Sequence, residues 1–473
     1  KLGKNWVGAT VNLENNSEKL KTTNTFSVLS QRFLEYGAFV GRGDSTKVFV
    51  ELGFLQRQND SLQNNRIERV NHSNSYYLKS QLIKTEKSNL SVFLNYRTLK
   101  YEDTNKENEP SLNSRILYSD RYFGQLIQTT TAYETSSGTI AQQEFTYLQV
   151  EPGQGVYMWN DYNGNGIQEL QEFEIAPFPD LAIYVRVFLP NQVFVRTHQN
   201  RFSQALNFNF NQWQNEKGLK KFASYFYNQT SFLIERRIRR DGSNFDLNPF
   251  SKNDDELIGL NTNFRNSLFF NRGKQHHSTT YSFLINESQN LLSAGSVAAK
   301  NQSHQLQYQH LVKKSWLFNF STSTTKTASN SENFQNRNFE IESYQVEPKI
   351  GYLFSKNASW DIFYEYQQKE NQIGASETLT QTRLGTSFTF NSEKGFSMNG
   401  EFSMYNNSFN GNALSAVGFQ MLEGLQPGKN QTWRLLLQKN LTQYLDVNVN
   451  YQGRNSETSK TIHTGNVQLR AFF

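Results

Sequence analysis

Leu445 to Gln452 reads LDVNVNYQ: Leu445, Val447, Val449 and Tyr451 alternate with Asp446, Asn448, Asn450 and Gln452. A strand points successive side chains to opposite faces, so this stretch specifies one apolar face and one hydrated face. The same period recurs along the chain. Leu90, Val92, Leu94 and Tyr96 alternate with Ser91, Asn95 and Arg97, and Phe202, Leu206, Phe208 and Phe210 with Ser203, Asn207, Asn209 and Asn211. Trp316, Phe318 and Phe320 oppose Asn319 and Ser321, while Trp360, Ile362, Tyr364 and Tyr366 oppose Asp361, Glu365 and Gln367. Many segments run about 10 to 15 residues, against about 5 to 6 for a soluble strand, and Trp and Tyr often sit at their ends. The expectation is an all-β chain, a transmembrane antiparallel β-barrel of roughly 20 strands (about 18 to 24) with long extracellular loops, in an outer membrane.

Composition agrees. Only 36% of residues are hydrophobic and mean hydropathy is -0.70, yet aromatics reach 14%, with 38 Phe and 23 Tyr. A disordered chain is poor in aromatics and a soluble core is richer in aliphatics; a wall between lipid and water accounts for both numbers. No apolar run of about 18 residues marks a transmembrane helix. The start, KLGKNWVG, has no signal-peptide apolar region, so a processed chain or a piece of a longer one is expected. With no cysteine, disulfides, thiolate metal sites and cysteine nucleophiles are excluded.

The formal charge is +6, from 48 basic and 42 acidic residues, and no sustained basic tract argues for nucleic acid. The one dense cluster, Glu235-Arg236-Arg237-Ile238-Arg239-Arg240, reads as a solvated loop base, with anionic lipid headgroups as the second reading.

Connection lengths set direction. Short links are expected at Asn440 to Gln443, Ser392 to Gly395, Ser355 to Ser359, Lys313 to Ser315, Asn271 to Lys274, Asn215 to Gly218, Ser136 to Gly138 and Lys84 to Asn89. Longer polar stretches lie between them, as at Arg239 to Asp255, Ser329 to Asn338, Glu102 to Asn113 and Arg57 to Asn74. With a last strand descending to Phe473, short links fall on the periplasmic side, as does Lys1, and long ones outside. Gly411 to Asn430 fits as one long external excursion. One domain, 1–473, is expected, with 151–200 inserted as an extracellular or mouth-covering loop. Within it Ala182 to Val195 (AIYVRVFLPNQVFV) reads as an ordered hairpin or a partial plug.

That insertion carries the one motif with ligand chemistry. Asp161 to Glu172, DYNGNGIQELQE, satisfies D-x-[DN]-x-[DN]-G-x5-E, with Asp161, Asn163, Asn165, the carbonyl of Ile167, Glu169 and Glu172 as ligands and Gly166 at the turn. Hard oxygens in this number suit calcium. A bare Asn/Gly turn is the alternative, and in either case the role is structural.

Three runs, GQGVYMWNDYNGNGIQELQEFEIA (Gly153 to Ala176), EGLQPGKNQTW (Glu423 to Trp433) and HTGNVQLRAFF (His463 to Phe473), resemble the C-terminal part of large, mostly uncharacterised outer-membrane proteins of Bacteroidota-type bacteria. The resemblance implies a barrel and a longer N-terminus, and brings no established activity. The ending is also similar to outer-membrane proteins in general: Val467, Leu469, Ala471 and Phe473 alternate with Asn466, Gln468 and Arg470, the kind of last strand that barrel-assembly machinery recognises.

The seven histidines, His72, His198, His276, His277, His304, His310 and His463, form no spaced Ser/His/Asp constellation, and no phosphate loop or zinc motif occurs. An enzyme is therefore not expected. A conduit for transport or secretion is, gated or plugged by the loop or a partner; the alternative is a surface scaffold or adhesin presenting its loops. Expected partners are the bilayer, lipopolysaccharide, the assembly machinery and periplasmic or surface proteins.

Overall fold

The computed structural model of the chain describes residues 4–20, 25–44, 46–240, 242, 245–251, 256–273, 276–292, 295–392, 395–442 and 444–471. Lys1, Asp255, Lys274, Gln443 and Phe473, which figure in the expectations above, lie outside them. Strands β1 (Asn5–Asn16), β2 (Gln31–Gly43), β3 (Phe49–Gln63), β4 (Arg66–Lys84), β5 (Asn89–Tyr101), β6 (Glu109–Tyr122) and β7 (Ile127–Gln149) come first. Two short strands follow, β8 (Tyr157–Trp159) and β9 (Phe173–Ile175), then β10 (Tyr184–Asn209), helix α1 (Leu219–Ala223), β11 (Phe226–Arg239) and β12 (Leu257–Phe270). Next come β13 (His277–Leu292), β14 (Gly295–Val312), β15 (Trp316–Ser331), β16 (Phe339–Ser355), β17 (Ala358–Asn371), β18 (Thr378–Ser392) and β19 (Phe396–Asn410). Helix α2 (Ala416–Leu422) precedes β20 (Gly428–Thr442), β21 (Leu445–Ser456) and β22 (Ile462–Ala471).

Among the described residues, 22 strands join one sheet, and setting aside the three-residue β8 and β9 leaves the expected twenty. Every register described pairs its strands antiparallel, as in β1–β2, β3–β4 and β21–β22. The chain divides into two compact units, residues 1–141, 193–212 and 229–263 in the first and 142–192, 213–228 and 264–473 in the second.

In the second unit the two faces are legible row by row. Phe318, Ile350, Ile362, Thr386, Phe402 and Trp433 stand opposite one another across β15 to β20. One residue along, Lys349, Phe363, Gly385, Ser403, Thr432 and Arg454 form the row on the other face. On the apolar face Phe318, Ile350, Ile362, Leu384 and Met404 are all exposed. On β16 that face runs from Tyr344 to Phe354, about 34 Å of strand, or about 24 Å of height at a tilt of about 45°. Gly385 is required by its row: a Cβ there meets the Phe363 ring at 2.2 Å.

Tight turns join many strands. Asn64 (φ 46°) and Asn65 (φ 62°) are the paired left-handed residues of a two-residue hairpin between β3 and β4, and Lys313 (φ 49°) and Lys314 (φ 61°), with Ser315, form a three-residue link between β14 and β15. The expected links at Ser392 to Gly395, Ser355 to Ser359 and Lys84 to Asn89 all coincide with strand ends.

Four expectations need correction. Ser136 to Gly138 is no link: it lies inside β7, and the turn is at Phe123–Leu126, where Phe123, Gly124 and Gln125 all have positive φ. Asn215 to Gly218 belongs to a longer connection, 210–225, that contains α1. Arg57 to Asn74 is no loop, because β3 and β4 stay paired to their tip through this polar stretch. Finally, the segment between β7 and β10 is 150–183, shorter than 151–200, since Tyr184 onward, most of the apolar stretch expected as a hairpin or plug, is the start of β10.

Candidate functional site

The site lies in the second unit, where segment 150–183 meets the hydrated face of the sheet. The segment has its own small core. Trp159 pairs with Phe173 and Tyr157 with Ile175, and Tyr184 at the start of β10 pairs with Tyr157. Phe173 is buried, stacked on Tyr147 (4.0 Å, 10°) and edge-on to Tyr184 (5.0 Å). Gly155 allows this closeness, because a Cβ there meets the Ala182 carbonyl oxygen at 2.6 Å.

The calcium-type loop hangs from this core. Asp161 Oδ1 accepts from the amides of Gly164 (2.8 Å) and Asn165 (3.1 Å), and Oδ2 from Gly166 (2.9 Å). Asn163 Oδ1 accepts from the Asn165 amide and Asn165 Oδ1 from that of Ile167 (2.7 Å). Asn163 Nδ2 donates to Glu169 (2.9 Å). The structure thus gathers Asp161, Asn163, Asn165 and Glu169, with Gly166 left-handed at φ 71°. Glu172 stands at the base of the loop, 1% exposed: Oε2 accepts from Trp159 Nε1 (2.7 Å), while Oε1 is buried without a hydrogen-bond partner. A buried carboxylate oxygen left unsatisfied is costly, and beside a turn lined with oxygens its natural complement is a hard cation. Among the described residues no three His, Cys, Asp or Glu side chains converge on a metal site, so such a site depends on the amide oxygens of Asn163 and Asn165.

Two ion pairs pin the segment to the rest of the unit. Asp180 receives both Nη1 (2.5 Å) and Nη2 (2.7 Å) of Arg454, whose guanidinium also lies 4.1 Å from the Phe178 ring centroid. Arg454 belongs to the hydrated row of β21. Glu174 receives Arg337 Nη2 (2.5 Å) and the Tyr162 hydroxyl (3.3 Å). Burial holds the Glu174 carboxyl above its ordinary pKa although Arg337 pulls the other way, and burial, reinforced by Glu174, raises the Tyr162 hydroxyl.

The excursion after β19 meets the same place. Ser415 caps α2 through the Gly418 amide (3.0 Å), and the helix buries Val417, Met421 and Leu422 against Ile341 and Leu379. Lys369 donates to the Met421 carbonyl (3.0 Å) and to Glu423 (2.5 Å). Beyond the helix, Gly424 (φ 79°) lies so near segment 150–183 that a Cβ would meet Pro177 at 2.3 Å. The alternation did hold a signal for this contact: Ile341 and Leu379 are apolar residues at hydrated-face positions, on the same face of their strands as Gln345 and Gln381 and in register with Asn371 and Lys369.

Two cavities adjoin these segments. One of about 450 Å³ is lined by Asn160, Asp161, Phe419, Leu422 and Arg454 among others. The second, about 560 Å³, lies between Phe178, Glu423 and a charged wall of Glu365, Arg383 and Glu401. Arg383 bridges Glu365 (3.3 Å) and Glu401 (2.6 Å), donates to Ser403 (3.1 Å) and lies over Phe363 (4.7 Å). The wall thus carries charge of both signs, and the Ser403 hydroxyl donates to Glu401 (3.4 Å).

His277 and His310 pair across β13 and β14, their rings stacked at 6.3 Å. His463 bonds Tyr451 (2.8 Å) beside Trp433 on the apolar face, His304 bonds Tyr281, His310 bonds Tyr308, and His277 bonds Asn271.

No family model and no curated protein matches the sequence. Among solved structures, the chain is similar to the siderophore receptor PirA from Pseudomonas aeruginosa (9% identity, 99% of this chain and 73% of that one, TM-score 0.42). It is also similar to the ferric yersiniabactin uptake receptor FyuA from Yersinia pestis (8% identity, 100% and 76%, TM-score 0.37). A third is the FrpB iron transporter from Neisseria meningitidis (10% identity, 98% and 73%, TM-score 0.36).

Proposed function

We propose that the chain forms an outer-membrane β-barrel that serves as a conduit, with segment 150–183 and the α2 excursion narrowing its mouth. The observation that carries this reading is the two-faced sheet. Its continuous, exposed apolar rows exceed what a water-soluble surface tolerates, and the opposite face is charged and holds both segments. The apolar face meets the bilayer and lipopolysaccharide, and the alternation of β22, with Val467 and Leu469 exposed, suits an element offered to barrel-assembly machinery.

Planar-bilayer recording tests the conduit. The intact chain is expected to show small or brief openings, and a chain with 151–182 replaced by a short turn, or carrying Asp180→Ala with Glu174→Ala, larger and longer ones. If no form conducts although heat-modifiable mobility shows folded barrels, the conduit is wrong and a surface scaffold presenting its loops takes its place. The lipid assignment has its own test. Ile350→Arg sets a charge in the middle of the apolar face and is expected to cost about 2–4 kcal/mol of folding stability in lipid vesicles. Lys349→Arg, on the hydrated face, is expected to be nearly neutral.

The insertion is stapled by calcium at Asp161, Asn163, Asn165, the Ile167 carbonyl, Glu169 and Glu172. Support comes from the full spacing, the inward-turned amide oxygens and the unsatisfied Glu172 Oε1. The ion would hold the loop shut against the core around Phe173 and has no part in chemistry.

A further inference from the structure

The basic run ending β11 is not a solvated loop base. Arg236 and Arg240 share the strand face of Phe232 and Ile234 and are only 2% and 6% exposed. Residues 245–250 fold over them within the first unit. Phe250 stacks on Phe232 (6.2 Å, 10°) and contacts Phe202 (5.5 Å). Phe245 touches Tyr96 (6.4 Å), His198 (5.3 Å) and the Arg240 guanidinium (5.1 Å). Tyr96 is an exposed residue of the apolar face of β5, so the covered cluster lies on the side that faces the membrane in the reading above.

Among the described residues, the charges under this flap do not balance. Arg236 pairs with Asp246 (2.6 Å) and Arg196 with Glu109 (3.0 Å). Asn200 is held by the Asp246 carbonyl (2.6 Å). Arg240 is left over: among the described residues its buried Nε and Nη1 have no hydrogen-bond partner. His198, fully buried, bonds Ser137 through Nδ1 (3.0 Å), and its Nε2 likewise has no partner. An isolated buried guanidinium costs several kcal/mol and is retained where an anion completes it; the planar fork of Arg matches the oxygens of a phosphate.

We propose that Arg240, with His198 Nε2, binds a phosphate-type oxyanion beneath the 245–250 flap. Arg240 supplies unpartnered N–H donors at Nε and Nη1. When Ser137 donates to Nδ1, His198 presents a third from Nε2. Arg236 and Arg196 are each taken up by a carboxylate of their own, Asp246 and Glu109. The oxyanion belongs either to a phosphorylated headgroup of the outer leaflet or to free phosphate. The first source rests on the membrane reading; the second does not.

The test uses the full chain and Arg240→Met, which keeps the stem and removes the charge. In one arm, inorganic phosphate replaces chloride at constant ionic strength in detergent, and thermal unfolding is followed. In the other, co-purifying phosphorus is measured after incubation with lipopolysaccharide vesicles, native or phosphatase-treated. The wild type is expected to respond in at least one arm, with apparent affinity about tenfold to a hundredfold above that of Arg240→Met. A response to phosphate alone identifies the free ion. Retention of native but not dephosphorylated lipid identifies the headgroup. Equal behaviour of the two proteins in both arms overturns the proposal. So does an Arg240→Met protein less stable than wild type in phosphate-free detergent, because the guanidinium would then already be satisfied. A chain that fails to enter membranes yet responds to phosphate sinks the barrel and leaves the site standing.

Discussion

Met421→Ala is expected to loosen the α2 excursion by about 2–5 kcal/mol, the range for a methionine cut back to alanine in an enclosed site. Met421 is 0% exposed, and its neighbours cannot readily close the gap. Ile341 and Leu379 are fixed on strands β16 and β18, while α2 is held at one end by the Ser415 cap and at the other by Lys369. Leu379→Ala removes the other half of the contact, so a comparable cost is expected, with the double variant falling short of the sum because the two share one cavity. Leu414→Ala, just before the Ser415 cap and 81% exposed, is the control and is expected to stay within about 0.5 kcal/mol. Hydrogen exchange across 413–424 reads this directly. If Met421→Ala and Leu414→Ala exchange alike, the helix is not anchored by this core.

Calcium at a hundredfold its dissociation constant is expected to stabilise segment 150–183 by about 2.7 kcal/mol, seen as slower proteolysis and slower exchange of the Gly164 to Ile167 amides. Asp161→Ala is a blunt probe, because Asp161 also accepts three backbone amides and its loss breaks the turn with or without an ion. Glu172→Gln is sharper. The amide oxygen still accepts from Trp159, while the unsatisfied charge disappears. In EDTA this variant is expected to match or exceed the wild type, and calcium is expected to do nothing for it. Identical protection of the wild type in calcium and in EDTA would remove the metal from the account and leave a hydrogen-bonded turn.

The strands were readable where water and apolar surroundings lie on opposite sides, because only there does the chemistry alternate. Leu445 to Tyr451 and Trp360 to Tyr366 carry that signal without interruption. Beyond the apolar band both faces are wet, so Arg57 to Asn74 looks like a loop although its backbone pairing continues to the Asn64-Asn65 tip. Turn chemistry misled in the opposite sense at Ser136 to Gly138, where small polar residues sit inside β7. The true turn places Phe123 and Gln125 at φ 52° and 78°, conformations their side chains disfavour, so composition pointed elsewhere. The ligand loop was legible because its spacing is local. Its anchors were not: nothing near Asp180 in sequence indicates Arg454, and the burial of Arg236 and Arg240 depends on a flap of ordinary loop composition.

The bidentate pair between Asp180 and Arg454 joins residues 274 positions apart. Closing so long a loop has little to recommend it until the intervening strands have drawn the ends together. Docking of segment 150–183 therefore depends on β21 having joined the sheet. A partly assembled chain with β21 unpaired is expected to leave this segment accessible to proteases, which makes the anchor a reporter of strand pairing as well as a clasp.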